Sequence, residues 1–417
     1  MPLSRVKANY FRGGRVLPLL HLMTNHRKCG GSRSLRSRIP MPNAAPDSHV
    51  AKGDWQPLIW RNHHLVLLDQ TQLPGRITYL EPRDYRGVIK AIKRLSVRGA
   101  PLIGAAAAFG LASEAFRMRS AECGMRNASL RPKLLHVAGE IKAARPTAVN
   151  LAWAVERLEI ILKGTRIPEP KLAERLEREA LAIYQEEIAR SRRMGRYGAR
   201  LIRMGTRCGI VSPCRVLTIC NAGRLAAPGQ GTALAAIYVA HEQGKSVTVY
   251  VPETRPLLQG ARLTAVELSQ AGIPVVLLTD SMIATIMPEM DLILTGADRI
   301  AANGDTANKI GTYQMALLAH HFRKPFYPVA PVSTFDFNAR TGRDIPIEQR
   351  AGEELLYCGN RQIAPKGIGF HNPAFDVTPA RFITGIVTDQ GILSPPFGPA
   401  IARLRRKKGE RRREKGD

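Results

Sequence analysis

Asp298, Asn308 and Lys309 stand close together on the run Gly296–Thr312. Before it, Asp291–Thr295 is an apolar run with the pattern of a buried strand; after it, Tyr313–Ala319 has that of a helix. In an open α/β sheet the ligand binds beyond the carboxyl ends of the strands, which is where Asp298 falls. Asn308 would offer a donor and Lys309 a cation near the start of the next helix, where anions are favoured. An acid, a cation and a helix start in so short a span predict a site for a phosphorylated metabolite. The plainer reading is a turn-capping Asp and a solvated Lys. Other segments weigh against it.

Four of these can hold an anion or move a proton. Ser96–Gly104 is an Arg-Gly turn ahead of an Ala-rich helix; Gly99 and Ala100 would let backbone approach a ligand while Arg98 pairs with its charge. Arg145 precedes Pro146 and Thr147, which suit a helix start. Cys220 ends the apolar run Leu217–Ile219 and is followed by Asn221-Ala222-Gly223, so a thiol would meet a ligand beside backbone N–H groups. Glu253–Leu263 repeats the pattern of strand end, turn and helix, with Gln259 placed to donate to a phosphate. Each segment alone is weak, because caps, buried thiols and surface amides are common.

The elements that would position these residues fall into two halves. Residues 58–90 hold short strand-like runs such as Leu65–Leu68, and from Gly87 to Leu162 the spacing is helical. Pro168–Arg203 reads as one long amphipathic helix or two close ones, joining two domains. From Arg215 onward strands and helices alternate: Arg215–Ile219, Thr232–Gln243, Ser246–Val251, Leu257–Ala271, Val275–Leu278, Asp291–Thr295 and Pro325–Val329. That alternation predicts a parallel, doubly wound sheet. The expected organisation is a basic disordered tail over 1–53, a mostly helical domain over 54–195, a Rossmann-like domain over 196–396 and a second basic disordered tail over 397–417. No GxGxxG follows the first strand of the alternating half and no GxxxxGK[ST] occurs, so dinucleotide and ATP lack support.

Of 417 residues, 44% are hydrophobic and 23% charged, the composition of a soluble globular protein. No apolar run is long enough for a membrane span. The six cysteines form no CxxC pair, and free thiols in a reducing cytosol are the simplest reading. A net charge of +28 invites a nucleic-acid reading, but much of it sits at the ends. Residues 1–46 carry nine Lys or Arg and no acid, and residues 401–417 carry nine against three acids. Such runs are normally solvated and would give only weak, salt-sensitive attraction to polyanions. The N-terminal stretch is Arg- and Ser-rich, yet its glycines and prolines break any long amphipathic helix. It is read as a disordered tail, or as residues ahead of a true start at Met23 or Met41, rather than as a targeting segment.

In order along the chain, Leu68-Asp69-Gln70-Thr71, Arg98-Gly99-Ala100-Pro101, Arg145–Leu151, Cys220–Gly223, Glu253–Pro256, Gly296–Thr312 and Asp344–Glu348 closely resemble the methylthioribose-1-phosphate isomerases of methionine salvage. The resemblance runs from about Trp55 to Leu393. It implies kinship with the regulatory α, β and δ subunits of eukaryotic initiation factor 2B, which share the fold without being enzymes. It implies a mostly helical N-terminal domain, a Rossmann-like C-terminal domain and a cytoplasmic homodimer. No metal or organic cofactor, specific nucleic acid or membrane is expected. Cys220 and Asp298 match the family's catalytic pair; Arg98, Gly99, Ala100, Arg145, Gln259, Asn308 and Lys309 match its substrate positions. The implied reaction takes 5-methylthioribose 1-phosphate, an aldose, to 5-methylthioribulose 1-phosphate, a ketose. Alternatives are an isomerase of 5-deoxyribose 1-phosphate or ribose 1,5-bisphosphate, and, further off, a non-catalytic translation-regulatory subunit. The chain departs from the family pattern at Ile219, where His is common, at Arg224, where a small residue is usual, and at Gln230, where an aromatic is usual. Because these flank the centre, a changed substrate preference is expected.

Overall fold

A computed structural model describes residues 55–121, 129–145, 147–164, 167–207, 210–359 and 361–414. The basic stretch 1–53, three cysteines (Cys29, Cys123 and Cys208) and Pro146 lie outside the described residues.

Three antiparallel strands open the described chain: β1 (Leu58–Arg61), β2 (His64–Leu68) and β3 (Tyr79–Leu80). Four helices follow, α1 (Tyr85–Lys93), α2 (Ala100–Ala121), α3 (Leu130–Lys142) and α4 (Val149–Lys163). α1 starts where the Asp84 carboxylate accepts from Gly87 N at 2.8 Å. Over residues 100–112 α2 is apolar on every side, as a helix at the centre of a core must be. Ala105, Ala106, Ala108, Leu111 and Ala112 have no exposed surface, and α1, α3, α4 and α5 (Leu172–Ala199) surround it. Its alanines let those neighbours approach closely. α5 also packs along α6 (Ala233–Glu242) of the second half, so it joins the halves as one rigid element. The expected division at 195 therefore falls inside α5.

After the hairpin β4 (Gly205–Arg207) and β5 (Ile210–Ser212), strands and helices alternate. β6 (Cys214–Leu217), β7 (Val247–Pro252), α7 (Ala265–Gln270), β8 (Val275–Leu278), α8 (Ile283–Ile286) and β9 (Leu292–Thr295) lead to a second layer, β10 (Arg299–Ala301) and β11 (Thr306–Lys309). α9 (Thr312–His321) and β12 (Phe326–Pro328) complete the main sheet. Its order is β12-β9-β6-β7-β8, with every pairing parallel. From β6 the chain winds outward through β7 and β8, then returns to the other side of β6 at β9. The crevice between β6 and β9 is thus the switch point, where an open α/β sheet holds its ligand. The Cys220 and Asp298 loops leave the sheet at this crevice.

A four-stranded sheet of order β13-β10-β11-β16 stands above those strand ends, formed with β13 (Phe335–Asp336) and β16 (Phe375–Thr378). It was not expected. The run 296–312, read as a loop with a helix start, is a hairpin whose second strand carries Asn308 and Lys309. Small elements fill the remainder: α10 (Glu353–Leu356), the hairpin β14 (Tyr357–Cys358) and β15 (Arg361–Gln362), and the hairpin β17 (Ile386–Thr388) and β18 (Gly391–Leu393).

Two expectations are corrected. Leu257–Ala271 is not one helix: a loop runs to Gln259, followed by a π-helical turn at Gly260–Thr264 and then α7. Gly260 lies so near the end of β7 that a Cβ there would sit 1.9 Å from Pro252 O. Nor is the chain beyond residue 397 a disordered tail from its start. Phe397–Glu414 forms α11, whose Phe397, Ile401 and Leu404 are buried in the core beside Ile386. One apolar face at helical spacing anchors the first turns, and the basic composition hides it.

Candidate active site

Cys220 lies just past the end of β6, in the left-handed region with φ 58°. A non-glycine residue held there is strained and must be fixed by its surroundings. Two buried threonines do so. Cys220 N donates to Thr254 Oγ1 at 2.9 Å, and Thr264 Oγ1 donates to Cys220 O at 2.5 Å. Thr264 belongs to the π-helical turn, a type of irregularity that often marks functional sites. The thiol is buried, with Arg98 Nη2 at 3.9 Å from Sγ.

Asn221 and the loop beyond it are anchored by Glu267 on α7. That buried carboxylate accepts from Asn221 Nδ2 at 2.8 Å, Arg224 N at 2.7 Å, Leu225 N at 3.2 Å and the Tyr238 hydroxyl at 3.1 Å. Burial and the Glu267 charge push the Tyr238 hydroxyl well above its ordinary value. Arg98 is held in turn, Nη1 donating to Asn221 Oδ1 and Nη2 to Asn221 O, both at 2.8 Å. Gly99 has φ 91°, and a Cβ would lie 2.3 Å from Ala226 O, so only glycine fits. Ala100 then opens the 22-residue α2, bringing a helix N-terminus to the site.

Across the crevice, Asp298 sits between β9 and β10. Among the described residues no group donates to its carboxylate. Burial raises its pKa above the ordinary carboxylate value, against the lowering pull of Arg145, Lys309 and Arg98. Asn308 Nδ2 donates to Thr312 Oγ1 at 3.0 Å. Lys309 Nζ donates to Ala374 O at 2.9 Å and lies 4.8 Å from the centre of the Phe375 ring. Burial brings the Lys309 ammonium below its ordinary value, opposed by Cys220 and Asp298 and aided by Arg145 and Arg98. Arg145, in the loop between α3 and α4, donates through Nε and Nη2 to Glu348 Oε2 at 3.2 and 2.9 Å. Burial alone would raise Glu348, but Arg145 and Arg350 leave it lowered. Gln259 is buried, and its Oε1 has no partner.

All nine residues expected at the site line one cleft. Ile219, Ala222, Gly296, Arg350 and Phe375 also line it. Of the three departures noted in the sequence, only Ile219 does. Arg224 instead lies 5.0 Å from the Tyr238 ring centre, and Gln230 Nε2 donates to Glu242 at 2.7 Å. Sequence reading missed Thr264, Glu267 and Arg350. A lone acid within the apolar run Leu263–Leu268 was a signal for Glu267; nothing pointed to Arg350. Among the described residues no cluster of His, Cys, Asp or Glu could hold a metal ion.

A parallel sheet with a strained thiol on one lip of its switch point, a raised-pKa acid on the other and cations around them defines a Rossmann-like protein with a cation-lined cleft at its switch point. The chain belongs to the initiation factor 2 subunit family, which matches residues 96–395. It is 48% identical over 352 residues to the methylthioribose-1-phosphate isomerase of Desulforamulus reducens, covering 83% of this chain and 98% of that protein. It is 46% identical over 352 residues to the 5-deoxyribose 1-phosphate isomerase of Moorella thermoacetica, covering 84% and 97%. The crystal structure of 5-methylthioribose 1-phosphate isomerase from Pyrococcus horikoshii OT3 is similar with a TM-score of 0.72 at 40% identity, covering 84% of this chain and 95% of that one.

Proposed function

We propose that this protein is an intramolecular oxidoreductase that converts 5-methylthioribose 1-phosphate to 5-methylthioribulose 1-phosphate. The observation that carries the reading is the meeting of Cys220 and Asp298 with Arg98, Arg145 and Lys309 in one cleft, in a chain nearly half identical to named isomerases of this substrate.

Phosphate at C1 prevents the ring from opening as an ordinary hemiacetal does. An acid must therefore assist cleavage of the bond between C1 and the ring oxygen. Asp298, desolvated and with its pKa raised, is protonated to a higher pH than an ordinary carboxyl and serves as that acid. The ring oxygen takes its proton and becomes the C4 hydroxyl. Hydrogen then passes from C2 to C1, as a proton through an enolate or as a hydride. The C2 hydroxyl gives up its proton and becomes the ketone, with Cys220 in reach to shuttle a proton or steady the developing charge. Arg98, Arg145 and Lys309 hold the phosphate, and the N-terminus of α2 at Gly99 and Ala100 adds its dipole. Gln259 and Asn308 position the sugar. The product is an isomer of the substrate, so no oxidant is consumed.

Homodimerisation and a cytoplasmic location belong to the same reading; no helix among the described residues is long and apolar enough to cross a membrane. A division into a helical and a catalytic domain is proposed alongside, with α5 running across the boundary expected at 195. A second substrate, 5-deoxyribose 1-phosphate, is favoured by the comparable identity to the Moorella thermoacetica isomerase. Proton NMR of purified protein with each 1-phosphate tests both. Signals of a C1 methylene should grow as the anomeric proton disappears; a persistent anomeric signal with both substrates would overturn the isomerase reading.

A further inference from the structure

Two of the cations proposed to hold the phosphate come from different halves of the chain. Arg145 stands in the loop between α3 and α4, and Lys309 on β11. One aromatic ring meets both. The Arg145 guanidinium carbon lies over the Phe375 ring at 5.6 Å from its centre, and Lys309 Nζ at 4.8 Å. Phe375 is buried, yet it lines the cleft.

The fold fixes this ring from several sides. In the antiparallel pairing of β11 with β16, Phe375 stands directly opposite Lys309, so the two side chains rise from the same face. Its chain neighbours are tied as well. Ala374 O accepts from Lys309 Nζ at 2.9 Å, and the Asp376 carboxylate accepts from Gly311 N at 2.7 Å and Tyr313 N at 3.1 Å, at the start of α9. Just ahead of β16 the chain is clasped to the segment that carries Glu348, the partner of Arg145. Gln349 bridges Pro373, and Arg350 N donates to Asn372 O and Ala374 N to Glu348 O, both at 2.9 Å.

Like charges brought together out of water repel and are poorly solvated. Burial brings the Lys309 ammonium below its ordinary value, and the Arg145 charge adds to that. The face of an aromatic ring is negative and attracts a cation, more strongly where water is excluded. A further carboxylate would neutralise the charge that a phosphate must meet; a ring does not.

We infer that Phe375 is a positioning residue for the substrate phosphate, its ring keeping Arg145 and Lys309 gathered before that group arrives. The inference rests on the isomerase reading for its substrate. Without π density at this point the cations are free to part, and a phosphate must regather them at a cost in affinity.

The test replaces Phe375 with phenylalanine bearing one, two or three ring fluorines, which withdraw π density stepwise and hardly alter the shape, and separately with leucine. Each full-length protein is assayed with 5-methylthioribose 1-phosphate, and its affinity for inorganic phosphate is measured by phosphorus NMR titration. KM should climb with each fluorine to about 3–30-fold above wild type while kcat holds within about threefold, and phosphate should weaken in the same order. Phe375→Leu should fall at the weak end of that series. KM and phosphate affinity unmoved by fluorination, with damage in Phe375→Leu alone, would mean that the ring only packs and would overturn the inference. So would a loss confined to kcat. A wild type that does not isomerise the substrate would overturn the isomerase reading instead, and the phosphate titration would then decide the role of the ring by itself.

Discussion

The groups of the cleft fall into two sets built on opposite terms. In the held set the guanidinium groups are fixed before any ligand arrives: Arg98 by Asn221, Arg145 by Glu348. In the unsatisfied set, Asp298 receives no donated hydrogen bond from any described residue, and Gln259 Oε1 is buried without a partner. On the proposed function, the first arrangement fixes where a phosphate goes at little cost in order lost on binding. On the same proposal, the second leaves groups free to interact with the substrate or the transition state. Held and unsatisfied groups thus share one space. The strained Cys220 stands between them, clamped by two threonines.

The sharpest way to break this contrast is to remove the anchor beneath the held set. Glu267→Leu leaves Asn221, two backbone N–H groups and the Tyr238 hydroxyl without an acceptor, and should cost about 3–5 kcal/mol in denaturant unfolding. A loss below about 1 kcal/mol would show that the loop does not depend on it.

Next in size are the phosphate groups. Arg145→Met should raise KM for the 1-phosphate substrate roughly 10–100-fold with a smaller change in kcat, as expected of a charge felt by substrate and transition state alike. Arg98→Lys should behave similarly, because a Lys cannot reproduce the fork on Asn221. Steady-state kinetics separate this from a loss confined to kcat, which would place these cations among the reacting groups instead.

The unsatisfied set carries a stability signature with a definite sign. Asp298 has a folded-state pKa raised above its unfolded value. Its contribution to stability is therefore present below the unfolded pKa and lost as pH rises through the folded one. Asp298→Asn should melt at a higher temperature than the wild type at neutral pH, the gap closing toward pH 4. Thermal melts across that range check it, and a variant less stable at pH 7 would mean the carboxylate is satisfied after all.

The smallest effect sharpens the boundary of the site. Arg224 and Gln230 do not line the cleft, so Arg224→Ala and Gln230→Ala should leave the relative kcat/KM for methylthio and 5-deoxy substrates within about twofold, stability changing by about 0.5 kcal/mol. A larger shift in preference would restore the expectation that these departures tune the substrate.

Much of this was legible in the chain because chemistry-bearing residues follow apolar strands. Cys220 and Asp298 could be placed at strand ends from the runs before them, and the parallel sheet from its alternation. The strand order that makes their crevice the switch point could not be read, since pairing depends on contacts distant in sequence. The β10–β11 hairpin was missed for a related reason: Arg299–Ala301 and Thr306–Lys309 are short, and their partners β13 and β16 come much later. The π-helical turn escaped notice because its apolar residues keep a helical spacing. The fit of α11 was masked by charge; Phe397, Ile401 and Leu404 carried the signal.

The most direct measurement sets turnover against binding in three proteins: wild type, Cys220→Ser and Asp298→Asn. Ketose formation from 5-methylthioribose 1-phosphate is followed by NMR, and affinity for the ketose product by calorimetry. Both variants should bind the product within about fivefold of the wild type while kcat falls at least a hundredfold. Either variant keeping a tenth of wild-type turnover would contradict the assignment of Cys220 and Asp298 as the reacting pair.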